Sequence, residues 1–406
     1  MNEDRLRELL RQAPVPDEAE AERRGLRVAR AAFAQRQPEP RAALPRLAVA
    51  LAALTLFAAL ALSPAGAAVR DWVGDVFATG VPDAEPALTE IPGGGRLLIQ
   101  SASGPWVVQP DGSRRLLGRY DEATWSPRGL FVGTAQGRTL SAVEPDGSLR
   151  WSLSAEAPVS DPRWSSSGFR IAYRAGLALR LVAADGTGDA LVDPRVAPVP
   201  PAWSPLGLDL LAFVDTGGTL RIVDAEDRQP LGSSPALAAA NVLSWAADGS
   251  MLLEVSPRAL RLHPVTASKL AGRLDLGSPR QLPLPAGATV AAAAFSPRGQ
   301  TIAALLELPG GERRAPRSEV VLIDAGGGPP RRLFATPGRL SGLTWSPDGR
   351  RLLIGWRDAD QWLFVPVDGG GRIRAVGGIS AAFAPGEAGS ATFPQVVGWC
   401  CAAPAP

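Results

Sequence analysis

The sequence predicts an all-β chain: a β-propeller of seven four-stranded blades, preceded by a transmembrane α-helix. Three observations predict it. A phrase built on Trp-Ser-Pro-x-Gly recurs along the 406 residues. Short apolar runs alternate with Gly/Pro and Asp/Gly turns over residues 82–399, as strands do and helices do not. One uncharged stretch, residues 47–62, stands apart from its surroundings.

Residues 1–46 are charged and Ala-rich, with no Gly/Pro rhythm. Leu6, Leu9 and Leu10 recur at helical spacing, and so, more weakly, do Leu26, Val28, Ala31 and Phe33. Two short helices cannot build much of a core alone. A short cytoplasmic helical segment is expected, with or without a partner.

Residues 47–69 are expected to form the transmembrane helix. The sixteen residues from Leu47 to Leu62 reach about 24 Å as a helix, short of a hydrocarbon core of about 30 Å. The weakly polar Ser63–Val69 supplies the rest. A buried core helix is disfavoured because the segment has no polar face. A cleaved signal peptide stays open, since Ala65-Gly66-Ala67 resembles a cleavage site, although the preceding region is long for one. Seven arginines between Arg23 and Arg46 precede the span, whereas Arg70, Asp71 and Asp75 follow it. Arginine excess stays inside, so the N-terminus is expected in the cytoplasm and the remainder outside. Val69, Trp72, Val73, Val76 and Phe77 then mark one helical face. This predicts a juxtamembrane amphipathic helix over 70–81, lying in the interface or beneath the folded domain.

The repeat carries most information. Its anchors are Ile91, in a fainter copy, then Trp125, Trp164, Trp203, Trp245, Phe295 and Trp345, at steps of 34 to 50 residues. Strand patterning at such periods is the mark of propeller blades. In each repeat the aromatic ends one strand and Ser-Pro-x-Gly turns the chain. A second strand follows, and an Asp/Gly hairpin joins the third and fourth, with both central residues expected at φ > 0. Stacking blades buries faces that a lone sheet leaves wet, and the aromatic fills the gap to the next blade. Seven anchors predict seven blades, with six or eight open at the ends. Residues 379–399 are expected to close the ring against the first blade, leaving residues 400–406 as a tail.

The phrase "WSPDG" with "RRLLIGW" (Trp345 to Trp356) resembles the WD40-like PD40 repeat of TolB-like propellers. The likeness covers about residues 85–376. Trp125 and Trp203 keep W-S-P-x-G, and the other copies are degenerate. The layout, with one N-terminal span, is similar to that of actinobacterial propeller proteins. The resemblance implies a propeller and leaves the function open, because this fold hosts many.

No catalytic constellation is legible. His263 is the only histidine and is expected in a turn or at the surface. A His/Cys zinc site lacks ligands, and Lys269, the only lysine, is in no phosphate loop. Asp358 with Asp360, and Asp185 with Asp189, offer oxygens in pairs, short of a calcium shell. No cofactor or metal is expected. Net charge of +2 gives no basic face for nucleic acid. Cys400 and Cys401 are adjacent, with Cα atoms about 3.8 Å apart, under the usual disulfide span of about 4.4–6.8 Å. A vicinal disulfide, an interchain link and free thiols all stay open. The expected function is a membrane-anchored extracytoplasmic binding module for a protein partner, with inward signalling through residues 1–46 left open. A propeller enzyme of hydrolase or quinoprotein type, or an envelope scaffold, is the alternative.

Overall fold

The computed structural model describes residues 84–205, 209–268, 273–310, 316–368, 371–384 and 392–401. The expectations for residues 1–46, 47–69 and 70–81 lie outside them. Among the described residues no helix is long and apolar enough to cross a membrane.

Seven antiparallel sheets make a seven-bladed propeller. Blade 1 joins β1 (Arg96–Ser101), β2 (Gly104–Val108) and β3 (Arg114–Leu116) to β29 (Gln395–Cys400). Blade 2 is β4 (Glu122–Trp125), β5 (Val132–Gln136), β6 (Thr139–Val143) and β7 (Leu149–Ser154). Blade 3 is β8 (Val159–Trp164), β9 (Arg170–Ala175), β10 (Ala178–Ala183) and β11 (Ala190–Asp193). Blade 4 is β12 (Ala202–Trp203), β13 (Leu210–Val214), β14 (Thr219–Asp224) and β15 (Pro230–Pro235). Blade 5 has β16 (Val242–Trp245), β17 (Met251–Ser256), β18 (Ala259–Ser268) and β19 (Arg273–Leu276), with β20 (Arg280–Gln281) also paired to β18. Blade 6 is β21 (Thr289–Phe295), β22 (Thr301–Leu308), β23 (Arg317–Asp324) and β24 (Arg331–Pro337). Blade 7 is β25 (Leu340–Trp345), β26 (Arg351–Trp356), β27 (Gln361–Pro366) and β28 (Arg374–Gly377). The first strands β29, β4, β8, β12, β16, β21 and β25 touch in succession all the way round, so they surround the axis. The middle strands are buried on both faces, which is why "GPWVV" and "LLAFV" read as unbroken apolar runs rather than alternating ones.

The Ser-Pro-x-Gly phrase is a six-residue turn closed by backbone and serine hydrogen bonds. Ser346 N–H donates to Arg351 O (2.9 Å), Gly349 N–H to Ser346 O (2.8 Å), and Arg351 N–H to Ser346 Oγ (2.9 Å). Gly349 sits at φ +65, which a Cβ resists. Ser126 and Ser165 make the same bonds to Phe131 and Arg170. The Asp-Gly hairpins differ from expectation. In Gln109–Ser113 the Gly112 N–H bonds Gln109 O (2.9 Å) and only Gly112 takes positive φ. Asp111 keeps negative φ because its carboxylate accepts the Ser113 N–H (3.0 Å) and hydroxyl (2.7 Å). This is a four-residue turn that ends on a left-handed glycine, not a turn with two left-handed central residues.

Each aromatic anchor reaches back one blade. Trp203 Nε1–H donates to Arg163 O (2.9 Å), Trp245 to Ala202 O (3.1 Å) and Trp345 to Ala294 O (3.2 Å). The acceptor is always the residue just before the previous anchor. Phe295, with no N–H on its ring, donates its backbone N–H to Ser244 Oγ (3.1 Å) instead. Trp164 stacks on Phe131 of blade 2. Trp125 lies against Gly398, where an added Cβ would come within 3.3 Å of the indole. Ile91 departs from the pattern. It is buried, but it lies in a turn before β1 and ends no strand. Blade 1 takes its first strand from the C-terminal end, so Trp399, one place before the end of that strand, fills the anchor's role and donates its N–H to Gly94 O (2.8 Å).

The seam between blades 7 and 1 joins chain ends, and it is the most aromatic. Trp106, Trp362, Phe364, Phe383 and Trp399 pack there with Ile91. Phe383 lies 5.7 Å from Trp106, edge-on, and 5.2 Å from Trp362. A second closure comes from the N-terminal side, where Glu85 pairs in parallel with Val376 of β28. Arg374 clamps this strap through Glu85 Oε1 and Oε2 (both 2.7 Å), Thr89 Oγ1 (3.2 Å) and Glu90 Oε1 (3.1 Å). The Arg374 hydrogen bonds and charge hold the Glu85 carboxyl below its ordinary value. A depressed carboxyl stabilises the fold above the unfolded pKa, and that contribution is lost as pH falls through the folded one. Glu85 is 41% exposed, so solvent screening limits the effect to about 1 kcal/mol or less. Cleavage within 86–90 by an acid-tolerant protease should therefore accelerate on acidification. In Arg374→Ala it should be fast at every pH.

Candidate functional site

The free edge of each first strand borders the channel. Four of these strands carry a β-bulge. Val397, Ala291 and Gly342 are extra residues in blades 1, 6 and 7, and Asp161 with Pro162 face the single Tyr173 in blade 3. Bulges re-aim side chains and favour functional sites. Val397, Ala291 and Gly342 are exposed although other inner strands flank them on both sides, so their open face is the channel. They are small and uncharged.

Blade 3 differs by bringing charge to the wall. Asp161 stands at φ +52, a conformation Asp tolerates better than most residues. Its N–H donates to Glu122 Oε2 (2.7 Å) across the blade boundary, and its carboxylate accepts Arg174 Nε–H (2.6 Å). Arg163 donates to Pro162 O (2.8 Å). Two carboxylates and two guanidiniums thus share one stretch of wall. Burial pushes the Glu122 carboxyl up, against the Asp161 bond, and burial pulls Arg163 down. A raised carboxyl pKa gives stability that is full below the unfolded value and lost as pH rises through the folded one. Glu122→Gln keeps an acceptor for Asp161 and removes the ionisation cost. At pH 7 it should match the parent or exceed it by under about 1 kcal/mol. At pH 4 the gain should vanish, which denaturant midpoints at the two pH values would read. None of these four residues stood out in the sequence. The signals were an acid three places before the anchor in two successive repeats, "EATW" and "DPRW", and a proline inside a strand.

On the rim that carries the second-to-third-strand turns, a groove of about 680 Å³ lies beside blade 5, lined by Arg258, Gln281, Leu282, Leu284 and Thr289 among others. The opposite rim exposes Leu130 and Phe169, which follow the turn glycine in successive blades.

His263 is neither in a turn nor at the surface. β18 runs ten residues and carries it past the expected hairpin, fully buried opposite Leu252. Its Nε2 lies 3.1 Å from Glu254 Oε2, and Nδ1 is buried without a partner. Glu254, also fully buried, accepts Leu237 N–H (2.5 Å) and faces Arg261 (3.6 Å). The paired aspartates are used internally. Asp358 accepts Arg339 N–H and Asp360 accepts Ser380 N–H. Asp185 accepts Thr187 N–H, whereas Asp189 takes the Tyr173 hydroxyl and the Arg180 guanidinium. Among the described residues no group of three or more His, Cys, Asp or Glu could hold a metal ion. Cys400 and Cys401 are joined by a disulfide.

No protein-family model matches the chain, and no curated protein matches it. Solved structures do resemble it. One, hydrazine synthase from Kuenenia stuttgartiensis, is 16% identical, with a TM-score of 0.48 over 61% of this chain and 76% of that one. Another, the β-propeller domain of Cps50 (Swd1) from Myceliophteria thermophila, is 18% identical, with a TM-score of 0.47 over 70% of this chain and 96% of that one. Neither likeness bears on activity, and the architecture itself is a seven-bladed β-propeller.

Proposed function

We propose that this chain is a TolB-like propeller of the PD40-repeat type, held outside the cell membrane by residues 47–69, which binds a protein partner and performs no chemistry. Residues 1–46 then report that binding to a cytoplasmic partner. The groove beside blade 5 carries the reading: its rim is built of loops, which a rigid ring positions and which vary without disturbing the fold. The Cys400–Cys401 bond accords with an oxidising exterior, and arginine placement around the apolar segment supports that orientation. Two measurements test this. Protease added to intact cells should remove a C-terminal tag and spare an N-terminal one, and the reverse would overturn the topology. A photo-crosslinking residue at Gln281 should give one discrete protein adduct in cells, and one at Leu149 none. Equal labelling from both would overturn the binding site.

A further inference from the structure

We propose that Cys400–Cys401 is a thiol–disulfide exchange site, a reducible latch on the seam between blades 1 and 2, served by a dithiol reductant. This holds whether or not the chain is anchored in a membrane, and it needs no ligand.

The pair ends the strand that closes the ring. Cys400 lies opposite Arg96 in the last pairing of β29 with β1. Its Sγ is buried 3.9 Å from Ser126 O, and Cys401 Sγ lies 4.0 Å from Pro127 O. Both sulfurs rest on the blade 2 turn at Gly129, where an added Cβ would come within 2.6 Å of Cys401 Sγ and 3.0 Å of Cys400 Sγ. Arg96 completes the contact. It donates to Gly129 O (2.7 Å) and its guanidinium sits 5.1 Å over the Trp125 ring. The bonded pair, Arg96 and Trp125 therefore clasp one turn, and that turn belongs to the next blade.

The two sulfurs are unequal. Cys400 is 8% exposed, whereas Cys401 is more open. Access decides which sulfur a thiolate attacks, so the reductant meets Cys401. Its first thiolate bonds Cys401 Sγ, the Sγ–Sγ bond breaks, and Cys400 leaves as a thiolate that takes up a proton. The reductant's second thiol then displaces Cys401 as a thiol and becomes a disulfide. Two electrons pass from reductant to pair. Cys401 stands at φ +59, an uncommon backbone region for a residue with a Cβ. Once freed of its neighbour it can leave that region, loosening the Arg96–Cys400 pairing and the clasp on Gly129. A two-residue loop removes little freedom from the unfolded chain, so the effect is local.

The test is hydrogen exchange on the full chain, purified without reductant, before and after dithiothreitol. Alkylation should find no free thiol before treatment and both thiols after it. Peptides covering 395–401 and 126–131 should exchange about tenfold faster in the reduced chain, while 210–224 stays unchanged. Cys400→Ser with Cys401→Ser should behave as the reduced chain with or without reductant. Free thiols before reduction, equal exchange in both states, or a double variant as protected as the oxidised chain would each overturn the latch.

Discussion

Trp345→Ala is expected to lower propeller stability by about 3–5 kcal/mol, the usual cost of deleting a large buried aromatic. Trp345 is 7% exposed and packs between the middle strands of blades 6 and 7. Its removal opens a cavity along a seam and takes away the indole N–H bond to Ala294 O that ties blade 7 to blade 6. Trp345→Phe should cost only about 1 kcal/mol, mainly the lost hydrogen bond, because Phe295 already fills the equivalent place. Denaturant midpoints with unchanged slope read both effects. An alanine variant within 1 kcal/mol of the parent would mean that the seams are held by something else.

Glu254→Ala should be comparably damaging, at about 3–5 kcal/mol, because it breaks a buried charge cluster from one side. Three donors converge on that carboxylate, namely Leu237 N–H, His263 Nε2 and the more distant Arg261. Leu237 belongs to the connection leaving blade 4, and Arg261 also donates to Pro235 O (3.0 Å), so the cluster ties two blades together. Once Glu254 is gone, His263 has already lost its only partner. Substitutions at Glu254 and His263 should therefore fall well short of additive in a double-mutant cycle. Full additivity would show that the two side chains act apart.

The blades were legible because each is written locally. Within six residues Trp345, Ser346, Pro347 and Gly349 specify a strand end, a hydroxyl acceptor, a fixed φ and a left-handed position. Their recurrence then counts the sheets. Legibility failed where an outcome depends on distant chain. The closure by residues 379–399 was legible, since β29 does pair with β1, but Ile91 was taken for that blade's anchor when the matching strand, with Trp399, comes from Gln395 onward. His263 was misplaced because "HPVT" reads as a turn, whereas a fully buried carboxylate nine residues away makes a strand interior habitable for it. The Asp111 turn was mistyped because the aspartate's own side chain removes the need for a second left-handed residue. The channel wall was missed because bulges at Asp161 and Val397 depend on how seven twisted sheets meet around an axis, which no single repeat records.

The order in which the polypeptide emerges during synthesis has a consequence for its handling. Gly94 and Trp399, bonded in the finished fold, are 305 positions apart. The earliest sheet therefore waits on the ribosome with its inner edge bare, an invitation to pair with a neighbouring nascent copy. Newly made chains need shielding until the final strand arrives, and a copy stalled before Gln395 is expected to become a substrate for quality-control proteases.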